Sequence, residues 1–263
     1  MVASLTKNRA QAKLLALFVS DIHLSDSLPN TTVAFLDFLK TTARNTERLY
    51  LLGDLFEYWA GDDDIDDQYN HHIVSALREL HQCGVQLFWM AGNRDFLVGK
   101  RFANETGAQI LSDPHPLELA GKSLLLSHGD SLCTDDTNYI AFRAMVRQEN
   151  WQTQFLSKPL TERKAIINHM RLASKEDQRS KSMEIMDVNQ GAVNRLFETS
   201  QAKILIHGHT HRTALHQEFL GLRYVLPDWD CEQKEHWRGG YLSLHQDGKF
   251  EFNSLAQFST NAD

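Results

Sequence analysis

Five short apolar runs each end in a cluster of residues that could bind a metal ion or a phosphate. Two carboxylates, one amide oxygen and four imidazoles suit divalent ions such as Mn, Fe or Zn, whereas the lack of thiolate spacing argues against a structural zinc site. The runs cover residues 14–20, 49–52, 85–90, 123–127 and 203–206. The potential ligands that follow them are Asp21, His23, Asp54, Asn93, His128, His209 and His211.

Seven potential ligands exceed what one ion needs once water is counted. Two ions about 3.5–4 Å apart that share one carboxylate fit this set better, and such pairs commonly promote in-line attack on phosphorus. Asp54 is the natural shared ligand because it stands alone in its cluster and offers two oxygens.

The elements that must position these residues follow an alternating pattern. Runs of four to seven apolar residues bounded by glycine and polar clusters predict buried strands. Strands alternating with helices predict an α/β layered fold with partly parallel sheets, whose carboxyl ends would bring all five clusters to one edge. Two segments show helical spacing: Val33, Leu36 and Leu39 in the first, and Ile73, Leu77 and Leu80 in the second, with Gly84 as its stop.

Residues 135–200 differ from the rest of the chain and are interpreted as an inserted helical cap. This stretch has one glycine, and residues 138–181 carry nine Lys or Arg against four Asp or Glu in a chain of net charge −7. A basic lobe on an acidic body suggests an anionic partner for the lobe. The predicted core is 14–134 and 201–255, and 1–13 and 256–263 are predicted to be flexible tails. Strand segments are expected around 219–226 and 241–252, with turn signals at Gly239-Gly240 and Asp247-Gly248.

Composition and charge narrow the classes of protein that fit. A chain of 263 residues with 42% hydrophobic and 23% charged residues is typical of a soluble globular protein, and the acidic balance argues against nucleic-acid binding. The apolar run at 14–19 is too short for a membrane span or a signal peptide. Three cysteines without metal-ligand spacing favour a reducing compartment.

The ordered blocks D-x-H, GD, GN, HGD and GH-x-H resemble those of the calcineurin-like metallophosphoesterases, from about residue 17 to residue 211. The resemblance implies a four-layer αββα sandwich with a dinuclear centre. It places His207 outside the motif, either at a strand end or behind the metal ligands. It assigns Asp21, His23, Asp54 and His211 to one ion, and Asp54 as bridge with Asn93, His128 and His209 to the other.

Arg94 departs from the pattern of the wider superfamily, many of whose members have a histidine directly after the asparagine. That histidine can protonate an alkoxide leaving group. Arginine cannot act as an acid near neutral pH, but it can clamp phosphate oxygens. Because a phosphate leaving group with a pKa of about 6 needs no acid, Arg94 favours cleavage of a diphosphate.

Residues 92–102, 132–143 and 184–189 are similar to one branch, the UDP-2,3-diacylglucosamine pyrophosphatases of lipid A biosynthesis. The resemblance implies hydrolysis of UDP-2,3-diacylglucosamine to 2,3-diacylglucosamine 1-phosphate (lipid X) and UMP, usually with Mn(II), by water attack on the α-phosphorus. Gln178 stands where close relatives have asparagine. The implied catalytic and substrate contacts are Asn93, Arg94 and His209, and the implied further substrate contacts are Asp136, Ser174, Gln178 and Lys181.

A diacylated substrate needs an apolar cleft, and the lobe offers residues for one, although each of them could instead belong to ordinary packing between helices. The basic side chains of the lobe could bind anionic lipid, which predicts a cytoplasmic protein that is peripheral on the cytoplasmic face of the inner membrane. No nucleic acid and no obligate protein partner are expected. The acidic string at 62–67 is expected to be a solvated loop. The candidate cleft residues are Phe155, Leu156, Ile166, Ile167 and Met170, and the basic residues are Arg143, Arg147, Arg163, Lys164, Arg171 and Arg179.

Three other functions share some of these sequence features. A metallophosphoesterase acting on another nucleotide diphosphate, such as a CDP-alcohol or an ADP-sugar, would share the metal site and differ in substrate profile. A scaffold that has lost catalysis is disfavoured because every ligand block is intact, and Arg94 with the acidic body disfavours a nuclease.

Overall fold

The computed structural model describes residues 12–180, 185 and 187–257. The strands are β1 (Leu14–Val19), β2 (Arg48–Leu52), β3 (Gln86–Met90), β4 (Gln109–Leu111), β5 (His115–Leu119), β6 (Lys122–Leu126), β7 (Ile204–His207), β8 (Ala214–Gln217), β9 (Leu222–Val225), β10 (Gly240–His245) and β11 (Phe250–Ser254). The α-helices are α1 (Pro29–Thr41), α2 (Gln68–Gln82), α3 (Lys100–Thr106), α4 (Thr137–Val146), α5 (Glu149–Leu156), α6 (Leu160–Ser180) and α7 (Gln190–Ser200).

The strands form two mixed sheets. The first has the order β11-β10-β1-β2-β3-β4, in which β1 to β4 run parallel and β10 pairs antiparallel with β1. The second has the order β5-β6-β7-β9-β8, with β6, β7 and β9 parallel. The five cluster-bearing strands are β1, β2, β3, β6 and β7, so the predicted strands are confirmed and each ends at its cluster.

Alternation along the strands builds the layers. Ala16 and Phe18 of β1 pack toward Leu124 and Leu126 of β6, which forms the core between the two sheets. Their neighbours along β1, including Leu17, point the other way, because successive side chains of a strand face opposite sides.

Helices cover the outer faces of both sheets. Helices α1, α2 and α3 pack on the outside of the first sheet, and α7 packs on the outside of the second through Val193 and Phe197. Two sheets between helical layers make the αββα sandwich, and the predicted fold class is confirmed. The domain boundaries stay a prediction. Within the range 135–200, α7 packs with the second sheet, whereas none of the described side chains of α4 to α6 belongs to that cluster.

The buried face of α1 matches the prediction at Leu39 and in part at Leu36, but not at Val33. Val33 is exposed, whereas Phe35 and Phe38 are fully buried. Apolar residues occupy more than one side of this helix, and burying the two phenylalanine rings removes more apolar area from water than burying Val33 would. In α2, Ile73, Leu77 and Leu80 are buried as predicted, and Gly84 follows the helix with a φ of +97°.

The C-terminal strands agree with the expectation in part. The segment predicted at 241–252 is a hairpin of β10 and β11, which turns at Asp247 and Gly248 as the turn signal there predicts. The segment expected around 219–226 contributes only β9, and Phe219 lies outside the strand with its side chain in solvent. None of the helices in the described ranges is both long enough and apolar enough to cross a membrane.

Candidate functional site

The polar clusters at the ends of five strands meet at one edge of the sandwich, as predicted. Two groups of side chains place potential ligand atoms within 4.8 Å of one another. The first is Asp21, His23 and His211, and the second is Asp21, Asp54 and His128. Both sheets contribute, because β1 and β2 belong to the first sheet and β6 and β7 to the second.

The first group directs three ligand atoms at one point. His23 Nε2 lies 3.4 Å from His211 Nε2, and His211 Nε2 lies 3.4 Å from Asp21 Oδ1. His23 Nε2 also lies 3.9 Å from Asp54 Oδ2. Such nitrogen and oxygen atoms repel one another unless a proton or a cation lies between them.

The second group centres on Asn93. Its Oδ1 lies 2.9 Å from both His128 Nε2 and His209 Nδ1. His128 Nε2 lies 3.8 Å from Asp54 Oδ1. The two carboxylate oxygens of Asp54 therefore face different groups, Oδ2 toward His23 and Oδ1 toward His128, which is the arrangement that a bridging ligand requires.

The backbone at this edge is held in a conformation that ordinary residues seldom adopt. Left-handed φ values of 53° to 69° occur at Asp21, His23, Asp54, His209 and His211. Each such residue costs about 1–2 kcal/mol. These five make up most of the non-glycine positions with positive φ in the described part of the chain, and all five are predicted ligands. The strain is thus concentrated where the chain aims side chains at one point.

Burial and charge leave this edge with an excess of negative potential. Burial alone would lower the pKa of His128, but the carboxylates of Asp54, Asp21 and Asp130 outweigh it and raise that pKa to about 9. The pKa of His23 is raised against burial by Glu57, Asp54 and Asp21. Asp21 Oδ1 is buried and has no hydrogen-bond partner within the described ranges. The donor set and its potential fit divalent cations.

Asp95 fixes the loops that carry Asp54 and Asn93, although the sequence did not single it out as a site residue. Its buried carboxylate accepts hydrogen bonds from the backbone N–H groups of Leu55 and Gly92, both at 2.9 Å. Burial and the neighbouring Asp54 carboxylate raise the pKa of Asp95 to about 6. Its position in the cluster Gly92-Asn93-Arg94-Asp95 is the sequence signal that could have identified it.

A cavity of about 470 Å³ opens beside these groups, between the core and the helical lobe. Asn93, Arg94 and Asp136 line it, so three predicted substrate contacts lie together. Phe155, Ile167 and Met170 line it as predicted. Leu156 is instead exposed, and Ile166 packs against the core outside the first sheet. The residues that sequence analysis missed on this wall include Glu57, Tyr139 and Trp151.

The side chains of three predicted substrate contacts are not among those that the structure describes. Ser174 and Gln178 belong to the last turns of α6, of which only the backbone is described. Lys181 lies outside the described residues. The roles of all three stay predictions.

His209 lies next to Tyr139, whose side chain lines the cavity. The ring of Tyr139 stacks on it at 6.0 Å between centroids, and the Tyr139 hydroxyl donates to Asp130 Oδ2 at 2.5 Å. Burial and the nearby charge of His128 lower the pKa of His209 to about 4, so that its ring is neutral and can act as a ligand. His207, at the end of β7 as expected, is fully buried with its Nε2 3.3 Å from Arg223.

The basic side chains of the lobe do not form the free lipid-binding surface that their sequence suggested. Arg163 is almost fully buried and pairs with Asp63, and Lys164 Nζ lies 2.6 Å from Asp64 Oδ1. Arg143 and Arg171 likewise pair with carboxylates of the core, and Arg147 donates a hydrogen bond to a backbone carbonyl of the core. These internal partners argue against a free cationic surface at the five residues, whereas binding of the lobe to an anionic membrane stays a prediction. The Arg179 side chain lies outside the described ones.

The acidic string at 62–67 is accordingly not the solvated loop that was expected. Asp64 is buried, and Asp62 accepts hydrogen bonds from the backbone N–H groups of Gly99 and Arg101 at 2.9 and 2.8 Å. Asp62 therefore satisfies donors at the start of α3, which an isolated helix would leave without partners.

Comparison with known proteins places this geometry among phosphoesterases. A family model described as calcineurin-like phosphoesterase matches residues 14–213. The UDP-2,3-diacylglucosamine hydrolase of Escherichia coli O6:H1 is 47% identical over 223 residues, which are 83% of this chain and 92% of that protein. The hydrolase of the same name from Enterobacter sp. (strain 638) is 49% identical over 204 residues, which are 78% of this chain and 85% of that protein. A solved archaeal phosphodiesterase covers 91% of this chain and 99% of its own, with 13% identity and a TM-score of 0.45.

Proposed function

The chain belongs to the calcineurin-like phosphoesterase family, and from this premise we propose that it hydrolyses the pyrophosphate bond of UDP-2,3-diacylglucosamine to lipid X and UMP. It is a hydrolase. The observation that carries this substrate is the cavity of about 470 Å³, which joins an apolar wall to Arg94 and to the group of potential ligands. A water-soluble nucleotide diphosphate would not need the apolar wall, which disfavours the CDP-alcohol and ADP-sugar alternatives.

The metal centre of this enzyme would be held by the side chains at the strand ends. Asp21, His23, Asp54 and His211 would bind one divalent ion, and Asp54, Asn93, His128 and His209 the other. When bound, such ions lower the pKa of a coordinated water and neutralise charge that develops on a phosphate. Mn(II) suits the mixed oxygen and nitrogen donors.

The remaining polar residues of the cavity would hold the substrate. Arg94 can clamp the diphosphate with its guanidinium, and Asn93 and His209 stand where the reacting phosphate would meet the metal ligands. Asp136, at the N-terminus of α4, is proposed to bind the glucosamine. Ser174, Gln178 and Lys181 complete the proposed head-group contacts.

The apolar wall predicts a specific effect on acyl-chain binding. Replacing Ile167 by tryptophan would fill part of the cavity and displace about two methylene groups, so KM for the diacylated substrate should rise about tenfold. The preferred acyl length should shorten, while the hydrolysis of bis(p-nitrophenyl) phosphate should keep its rate. Steady-state kinetics over a series of acyl lengths would measure both effects.

The matched control for this variant is Asn168→Trp, which adds the same ring at the next, exposed position of α6. A tenfold rise of KM in the control as well would contradict the assignment of the cavity to the acyl chains.

A substrate with two acyl chains resides in a membrane, and we infer that the lobe approaches the cytoplasmic face of the inner membrane as a peripheral protein. Met145, Leu156 and Leu172 are exposed on the lobe helices and support an apolar contact. Because the five described cations Arg143, Arg147, Arg163, Lys164 and Arg171 have partners within the protein, flotation with anionic vesicles should persist at high salt. Complete release by salt would show that the contact is electrostatic instead.

Product analysis tests the central proposal. Purified protein with Mn(II) and UDP-2,3-diacylglucosamine in detergent, in oxygen-18 water, should yield lipid X and UMP, with the label in UMP. Label in lipid X would move the attack to the other phosphorus. If there is no turnover in a preparation that still hydrolyses a generic phosphodiester, the lipid assignment is wrong.

A further inference from the structure

Glu57 lies between a proposed metal ligand and the helical lobe. Its Oε2 is 3.0 Å from His23 Nδ1, and its Oε1 accepts a hydrogen bond from Arg171 Nη2. Glu57 and Arg171 are both largely buried, with exposed side-chain fractions of 16% and 24%. One carboxylate thus contacts the core and the lobe at the same time.

The contact with His23 has a direct chemical consequence. A proton on Nδ1 beside a carboxylate leaves Nε2 with its lone pair free, and Nε2 is the atom that faces His211 and Asp54. Carboxylates in this position orient metal-binding imidazoles and raise their basicity, and their loss costs about 10- to 100-fold in metal affinity.

The contact with Arg171 reaches into the lobe. Arg171 belongs to α6, and its guanidinium lies over the Tyr58 ring at 5.5 Å from the centroid. By binding Oε1, it holds the carboxylate plane with Oε2 turned toward His23. Both Glu57 and Arg171 line the substrate cavity. The contact between them therefore lies where substrate would bind between the lobe and the core.

We propose that Glu57 is a positioning residue that links the helical lobe to the metal centre. When α6 is packed against the core, Arg171 holds Glu57 in place, and Glu57 in turn orients His23, so that the group of Asp21, His23 and His211 binds a metal ion more tightly. The proposal rests on the proposed metal centre. It makes the lobe more than a cover for the acyl chains, because the ion bound by His23 is held more tightly when Arg171 is in place. By linkage, that ion must in turn favour the seated lobe.

Calorimetric titration of the full-length, metal-free protein with Mn²⁺, without substrate, tests this coupling. In Glu57→Gln, one of the two sites should weaken by about 10- to 100-fold. In Arg171→Met, the same site should weaken by about 2- to 30-fold. The double variant should bind Mn²⁺ no more weakly than Glu57→Gln alone, because Arg171 acts through Glu57. Arg171→Lys should restore part of the affinity.

Lys164→Met is the matched control, since Lys164 joins the same helix to the same region through Asp64 and does not reach His23. Its Mn²⁺ affinity should equal that of the unaltered protein. A direct contact between Arg171 and substrate would change KM but could not change metal affinity measured without substrate. Circular dichroism of each metal-free variant shows whether it is folded.

The outcomes separate this proposal from the proposed function. If the unaltered protein binds two ions and both variants bind them equally well, the coupling is overturned and the metal centre stands. Weakening in Glu57→Gln but not in Arg171→Met overturns the link to the lobe. If the unaltered protein binds no Mn²⁺, the metal centre fails and the coupling fails with it.

Discussion

Replacing Asp54 by asparagine should lower kcat on UDP-2,3-diacylglucosamine by about a thousandfold or more. The two oxygens of Asp54 face different ligand groups, at 3.9 Å from His23 Nε2 and 3.8 Å from His128 Nε2. An amide offers one oxygen and no charge, so it cannot serve both groups. Losing several kcal/mol of charge stabilisation at phosphorus corresponds to about three factors of ten in rate.

Metal content and turnover, measured on the same preparation, check this result. Asp54→Asn should retain fewer than two Mn ions per chain, and it should remain folded because the amide oxygen can still accept from the Arg94 backbone N–H, which lies 2.8 Å from Oδ1. Asp37→Asn, which changes an exposed carboxylate on α1, is the control and should retain full activity. An Asp54→Asn variant with two ions and near-normal turnover would remove Asp54 from the bridging position.

Replacing Arg94 by lysine should lower kcat/KM for the lipid substrate by about 10²- to 10³-fold, the usual effect of losing one donor to a developing anion. Arg94 lines the cavity beside Asn93, and its Nε is buried without a hydrogen-bond partner in the ranges that the structure describes. The planar guanidinium can clamp two phosphate oxygens, whereas an ammonium group is a point charge.

The substrate that distinguishes this role is bis(p-nitrophenyl) phosphate, which has no second phosphate to clamp. Its hydrolysis should fall by less than tenfold in Arg94→Lys. Arg101→Lys is the matched control, because Arg101 pairs with Asp66 and Glu105 away from the cavity. Equal losses on both substrates would instead assign Arg94 to general support of the metal loops.

The convergence of the proposed ligands could be predicted from the sequence because each of them lies within a few residues of a strand end. A buried strand such as β1 shows in its own apolar run, and the parallel arrangement of such strands brings their ends together. Asp21 and Asp54 are therefore located by local pattern alone. Their left-handed backbone, in contrast, has only a weak signal in the residue type, since aspartate is enriched in this conformation but most aspartates do not adopt it.

The contacts of the lobe could not be predicted in the same way. The sequence shows that the lobe is basic, but charge counts do not say whether Arg163 meets lipid or Asp63. Glu57 was missed for the same reason, because its partners His23 and Arg171 approach only in the folded chain. Helix α1 shows a further limit of prediction from residue spacing. The spacing of Val33 fits a buried position, but the helix is oriented so that the larger Phe35 is buried instead.

The position of β1 inside the first sheet has a consequence for how the chain is made. β1 pairs with β2 on one side and with β10 on the other, and β10 is translated more than two hundred residues later. During synthesis, β2 becomes available early, whereas the other side of this apolar strand stays unpaired until nearly the whole chain has left the ribosome. An unpaired apolar edge is a template for association with other chains. Nascent chains that stall before residue 240 should therefore be the forms that aggregate and that need a chaperone.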